Sequence, residues 1–426
     1  MHKLRRVVVT GLGVVAPNAR NCTEFTEALR TMRSGIRFVD RLQELGFACQ
    51  VGGIPQGMQE VAAQLFSEDL RFAMNEYITY AAIAAMEAFA DAGLKPMPLN
   101  ADKAMEDTGA IIGTGIGGLD TFSNKVYPNV AAHKIKRLGS SVVEQIMASG
   151  ASARVGGLLG LGGEVTSNSS ACNTGTEAIV LGTRTIQWGL IDRMVVGGAE
   201  GSDPHIWSGF DSMRVLNRAH NHDPEAASRP LSASAGGFIP GSGAGILVIE
   251  ELETALRRGA KIYAEIIGTA ANSGGMRAGG SMTAPSPPGV QACIRKALMQ
   301  AEISPDSIDY INGHLTATMA DPMEVRNWSE ALELGPDRFP RINSTKSMIG
   351  HALGGAGAIE SVATLLQMTH GFVHGSRNCE DFHPEVKIFE GCVPKQSVNM
   401  PISIAAKASF GFGDVNSCII FKKWSQ

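Results

Sequence analysis

The chain has 426 residues, 44% of them apolar and 18% charged, with 50 glycines. That suits a packed α/β protein of two domains or two fused halves and argues against disorder. A formal net charge of −4 gives no reason to expect nucleic acid or an anionic membrane as partner.

In chain order, "MHKLRRVVVTGLGVVAP" has a basic start, but its apolar run is short and broken by glycine. It reads as a first strand (5–13) and a turn rather than a signal peptide. A helix is predicted over 75–94, "NEYITYAAIAAMEAFADAGL", opening after polar residues and closing at a glycine. Short β-branched runs predict strands at 108–115, 192–200 and 244–251. "KIKR" at 134–137 reads as a solvated face that could meet an acidic partner. Beyond 260 come a strand at 261–273, a helix at 288–303 and strands at 308–314, 402–410 and 417–423.

The series strand, helix, strand, buried helix, strand thus occurs twice. It divides the chain into halves 1–260 and 261–426 with no flexible linker between them. Alternating β and α elements predict mainly parallel sheets covered by helices. No 18-residue uncharged apolar stretch is present, so no membrane span is expected. Seven cysteines never fall at CxxC spacing. That speaks for a reducing, cytoplasmic setting and against a disulfide frame or a zinc site.

The candidate chemistry starts at "SSACNTGT", residues 169–176. Cys172 stands at the first turn of an apolar helix, where the helix dipole and unpaired N–H groups favour a thiolate. Ala171 and Gly175 are small enough to leave room for a ligand. His314, in "YINGHLTATMADPME", and His351, in "NSTKSMIGHALGGAGAIES", follow predicted strands, at the carboxyl ends where α/β proteins build sites. Lys346 precedes His351 by five residues. One thiol with two imidazoles suits acyl transfer. In "SFGFGDVN" (409–416) the glycines let backbone approach a ligand, so the N–H of Phe412 can face an oxyanion. "TGLGVVAP" and "GTGIGG" lack the full dinucleotide-binding pattern and read as tight packing.

Taken together, "VVVTGLGVVAP", "GTGIGGL", "ACNTG", "VVGGAE", "STKSMIGHALGGAGAIES" and "SFGFGDVN" closely resemble the β-ketoacyl-acyl-carrier-protein synthases. The likeness is to the synthase II-like elongating branch of the thiolase superfamily, nearly end to end. The resemblance implies a five-layered αβαβα fold of two related halves, acting as a homodimer. It implies decarboxylative condensation of an acyl thioester with malonyl-carrier protein, with acyl carrier protein as partner and no metal or redox cofactor. Cys172 matches the acyl-accepting nucleophile, and His314 and His351 the two histidines of the triad. Lys346 matches the nearby lysine, and Glu324 the acidic residue that usually pairs with that region. Phe412 falls on the gating phenylalanine of the oxyanion hole. Thr316, Thr318, Thr283 and Phe210 match contacts to the pantetheine arm, and Ile116 the lining of the acyl pocket.

The chain also departs from the pattern. Leu315 replaces a glycine and Ala317 a serine in "HLTAT", the segment from there to Glu324 is one residue shorter, Ala284 replaces a common serine, and Asp414 stands where a flexible uncharged residue is usual. These changes suggest a specialist that makes a polyketide, polyene or unusual acyl chain. Two alternatives remain at this stage. A thiolase would need a second active cysteine in the loop that here carries Phe410 and Phe412. A non-catalytic chain-length-factor-type partner in a heterodimer would lack the nucleophile.

Overall fold

The structure, a computed structural model, describes residues 4–425. Ten strands build its main sheet. They are β1 (Val7–Val15), β2 (Thr108–Gly113), β3 (Val165–Thr166), β4 (Arg193–Glu200) and β5 (Gly243–Glu251), then β6 (Ala264–Ser273), β7 (Tyr310–Asn312), β8 (Arg341–Asn343), β9 (Ile404–Gly411) and β10 (Val415–Lys423). All nine residues of β1 are buried, because both faces are covered. A strand so placed reads as a continuous apolar run rather than an alternating one.

The strands are ordered β8-β7-β9-β10-β6-β1-β5-β4-β2-β3. Outward from the β6–β1 seam, each half presents its first, fifth, fourth, second and third strand. That shared order is the duplication expected from the sequence. The expectation of mainly parallel sheets needs correcting. Only the outer strands are parallel, β4-β2-β3 and β9-β7-β8. The five pairings across the middle are antiparallel. The reason is connectivity: β9 and β10 are joined by a tight turn, and a hairpin can only be antiparallel. Strand β3, of two residues, escaped prediction, and β8, of three, was expected only as a strand somewhere before His351, because no periodicity develops over so short a run.

Helices α1 (Glu76–Asp91) and α4 (Pro287–Ala301) cover the outer faces of the two half-sheets, while α3 (Thr174–Gln187) and α6 (Leu353–His370) pack on each other between them. Two further helices, α2 (Gly150–Leu159) and α5 (Asp321–Leu332), lie outside this pair. The layers therefore run α-β-α-β-α. Residues 353–368 of α6 are all buried, as befits a helix that is apolar all round. Among the described residues no helix is long and apolar enough to cross a membrane.

The two inner helices meet through small residues. A Cβ on Gly175 would lie 2.8 Å from the backbone N of Ala358 and 3.1 Å from the carbonyl of Gly354. The room at Gly175 is therefore taken by α6, not left for a ligand as the sequence suggested. Backbone cannot yield as a side chain can, so Gly175→Ala is expected to destabilise the fold by about 1–3 kcal/mol. The check is the midpoint of urea unfolding.

Candidate active site

Cys172 sits in a short 3₁₀ turn, Ala171–Asn173, that runs straight into α3. The turn is sharp: Ala171 has φ 51°, a left-handed conformation that costs an L-residue about 1–2 kcal/mol. It is pinned by Thr174, whose Oγ1 accepts from the Ser170 N–H at 2.8 Å and donates to the Ala171 carbonyl at 2.7 Å. The thiol is thereby held at the N-terminus of a 14-residue helix.

His314 follows β7 on a turn bound by two carboxylates of the first turn of α5. Glu324 accepts from the N–H groups of His314 and Leu315 at 2.7 and 2.8 Å. Asp321 accepts from those of Thr316 and Ala317 at 2.8 and 3.0 Å. His351 lies between the short helix Lys346–Ile349 and α6. The three elements bring one ligand-capable atom each of Cys172, His314 and His351 within 4.8 Å of one another. The imidazole rings stand edge to face, with centroids 5.2 Å apart.

Hydrogen-bond partners assign both tautomers. The ammonium of Lys346 is 3.3 Å from His314 Nδ1, and an ammonium has no lone pair, so Nδ1 accepts. The N–H of Leu353 donates to His351 Nδ1 at 3.3 Å. Each ring therefore carries its proton on Nε2. Burial first, then the charge of Lys346, holds both imidazoles well below the usual histidine range. They are neutral N–H donors. For either ring to bind a metal through Nε2, its proton would have to move to Nδ1, with loss of that bond.

The sulfur is subject to opposing effects. Burial pushes the Cys172 thiol up to about 12. The charge of Lys346 and the backbone N–H groups of Phe412 and of Cys172 itself act the other way. The helix terminus alone does not make the resting sulfur a thiolate, which corrects the emphasis of the sequence reading.

Cys172, His314 and His351 line a cavity of about 710 Å³, while Lys346 lies behind them and does not. Phe210, Thr283, Thr316, Thr318, Glu324 and Phe412 also line it. Thr316 and Thr318 bond each other through their hydroxyls at 2.9 Å. Phe412, in the turn between β9 and β10, has its ring centroid 6.0 Å from that of Phe210. A chain of aromatic contacts continues through Phe238 to His351, with centroids 5.5 and 5.2 Å apart. Ile116 does not line this cavity. Its N–H donates to Glu200 at 3.1 Å and its side chain is 37% exposed.

Two further differences from the sequence reading stand out. The carboxylate paired with Lys346 is Glu360, not Glu324. And Asp414, which stands where a flexible uncharged residue was expected, is fully buried. Its carboxylate accepts from the N–H groups of Ser286 and Met276 at 2.8 and 2.9 Å, while the Gly413 N–H donates to the Met282 carbonyl at 2.8 Å. The residue ties the Phe412 turn to the 274–286 segment, which carries Thr283. Bonds to a charged group are worth about 1.5–3 kcal/mol each. Asp414→Gly is therefore expected to speed amide hydrogen exchange across 274–286 by roughly tenfold or more, measurable by mass spectrometry. Glu360 and Lys407 were missed from sequence. Their signal was a lone charge inside an apolar run, "GAIESVATLL" and "IAAKASF", which folding buries only when it is paired.

A family model for the N-terminal domain of β-ketoacyl synthase matches residues 4–255, and one for its C-terminal domain matches residues 263–380. The chain is 36% identical to 3-oxoacyl-[acyl-carrier-protein] synthase 2 of Synechocystis sp., over 99% of this chain and 98% of that one. It is 34% identical to 3-oxoacyl-[acyl-carrier-protein] synthase 1 of Escherichia coli K12, over 99% of both. A solved type II polyketide ketosynthase, in complex with its acyl-carrier protein and bound to the hexaketide, superposes with a TM-score of 0.87. That likeness is at 30% identity and covers 99% of this chain and 100% of that one.

Proposed function

This chain belongs to the β-ketoacyl synthase family and is an acyltransferase of the 3-oxoacyl-[acyl-carrier-protein] synthase kind; we propose that Cys172 carries its acyl group and that His314 and His351 run its condensation. The observation that supports this assignment is the meeting of a helix-terminal thiol with two neutral Nε2–H donors in one cavity.

The Cys172 sulfur attacks the carbonyl of an acyl thioester on acyl carrier protein. The N–H groups of Cys172 and Phe412 hold the tetrahedral oxyanion, each such donor contributing about 3 kcal/mol. The carrier's thiolate leaves and takes up the proton released from the cysteine. Malonyl-carrier protein then enters, its arm lying along Thr283, Thr316 and Thr318. His314 and His351 donate Nε2–H to its thioester oxygen and stabilise the enolate that forms as CO2 leaves. The enolate carbon attacks the acyl-cysteine, and Cys172 is released as the 3-oxoacyl chain departs two carbons longer. Because both imidazoles present a proton rather than a lone pair, neither is the base for Cys172. Ionisation relies on the helix terminus, Lys346 and the two N–H groups.

The working unit is proposed to be a cytoplasmic homodimer. Between residues 116 and 147, seven large apolar side chains, Ile116, Phe122, Tyr127, Val130, Ile135, Val143 and Met147, are exposed, a concentration along one segment that a partner subunit could cover. Ile116 would border the acyl pocket from that interface. Seven free cysteines suit a reducing compartment. The departures at Leu315, Ala317 and Asp414, with the likeness to a polyketide ketosynthase, favour a specialist acyl chain. Intact-protein mass after incubation with a panel of acyl-carrier-protein thioesters tests this. Adducts only with unusual chains support the specialist, and efficient turnover of ordinary saturated chains rejects it. No adduct with any chain would point to a partner subunit in a heterodimer instead.

A further inference from the structure

Lys407 is completely buried on β9, three residues before Phe410. Its ammonium faces Glu360 Oε2 at 2.9 Å, donates to Ser409 Oγ at 3.0 Å and also meets the Ala408 carbonyl. Glu360 gives its other oxygen, Oε1, to Lys346, and Lys346 reaches His314 Nδ1. Two buried ammonium groups thus share one buried carboxylate. Ser409 Oγ is in turn 2.7 Å from Thr176 Oγ1 on α3, the helix that carries Cys172 at its head. A second buried cation that shares its counter-ion is costly to bury, and this one lies behind the two histidines.

Building on the condensation role of His314 and His351 above, we propose that Lys407 is a positioning residue for the decarboxylation step. It occupies one oxygen of Glu360, so that Lys346 stays on the other and remains aimed at His314 Nδ1. Its positive charge, in excess over Glu360, opposes protonation of both imidazoles and keeps them as Nε2–H donors.

The groups facing Lys407 are Glu360 on α6, Lys346, Glu324 on α5 and Cys418 on β10. Those facing His314 are Lys346, His351, Lys407, the thiol of Cys172 and the carboxyl group of Glu324 at its N–H. The charge of Lys407 acts in the same direction on both histidines, after burial and Lys346.

The test is Lys407→Met, which keeps the length of the side chain and removes its charge. CO2 release from malonyl-carrier protein is expected to fall tenfold or more in kcat with KM little changed. The acid limb of its pH profile is expected to move up, and the His314 imidazole to titrate correspondingly higher by ¹⁵N NMR. An unmoved acid limb with unmoved histidine titration overturns the proposal, whatever the loss of rate, since a merely structural role would lower activity at every pH alike. Should Lys407→Met fail to fold, ¹⁵N-lysine NMR of the wild type decides. A slowly exchanging ammonium for Lys407 at pH 7 supports the proposal, and a neutral amine there overturns it. The histidine titration needs no substrate, so a wild type unable to release CO2 would instead count against the parent reading.

Discussion

Cys172→Ala leaves no acyl adduct on the protein and lowers condensation by roughly 10⁴-fold or more, the scale seen when a covalent nucleophile is removed. It leaves CO2 release from malonyl-carrier protein within about an order of magnitude of wild type. The two effects separate because the site divides its work. In the proposed mechanism the acyl group is held by the sulfur and by the N–H groups of Cys172 and Phe412, and the enolate by His314 and His351. The donor state of the two rings is set by Lys346 and by the N–H of Leu353, neither of which alanine at 172 disturbs. Alanine removes only one sulfur atom from the interior, so the cavity left is small and the fold should tolerate the change. Intact mass reads the adduct and a coupled assay reads the CO2. Persistence of an acyl adduct on the variant would place the nucleophile elsewhere. Loss of both activities together would mean that the cysteine and histidines do not act in separable steps.

His351→Ala gives the mirror image. Acyl loading on Cys172 stays within a few-fold, while CO2 release falls by about 10²–10³, the effect of losing one preorganised oxyanion donor. His314→Ala should behave alike. Removing both should cost less than the product of the two, since either donor alone can hold the same oxygen. The pH dependence follows from the direction of the shifts. Both rings are held well below the ordinary histidine value of about 6.5 by burial and by Lys346. They remain neutral donors at pH 6.5 and protonate only in more acidic solution. In the unfolded chain they take up protons near pH 6.5, so the unfolded state binds more protons below that pH. Stability is therefore full above 6.5 and falls as the pH drops towards the folded values. In the His351→Ala variant that fall should be shallower, which acid titration of the urea midpoint would show.

Much of the site is legible in short stretches. "ACNTG" places a thiol at a helix head, "YINGHL" places one imidazole after a strand, and "GHALGGAGAIES" places the other before a glycine-rich helix; the structure sets the short helix Lys346–Ile349 between β8 and His351, where the sequence suggested a strand alone. Each of these is a local arrangement, written in consecutive residues and read by the same rules as a cap or a turn. The helix 75–94 and the long strands are visible for the same reason, since apolar periodicity over eight or more residues announces itself.

What the chain order does not carry is any pairing made between distant segments. Lys346 meets Glu360 rather than Glu324, and Lys407 shares that carboxylate from a strand that begins 44 residues further on. Asp414 closes on residues 276 and 286 from across the hairpin. Gly175 is small for the sake of Ala358, on the facing helix. Local sequence by itself determined the repeated strand–helix series and the places of the thiol and the two imidazoles, because each depends on backbone conformation within a few residues. Only the tertiary structure decided the antiparallel middle of the sheet, the second buried lysine and the tie between the Phe412 turn and its neighbouring loop. Those depend on which groups share the interior. There an unpaired charge is too costly to leave alone, and its partner is chosen by proximity in space.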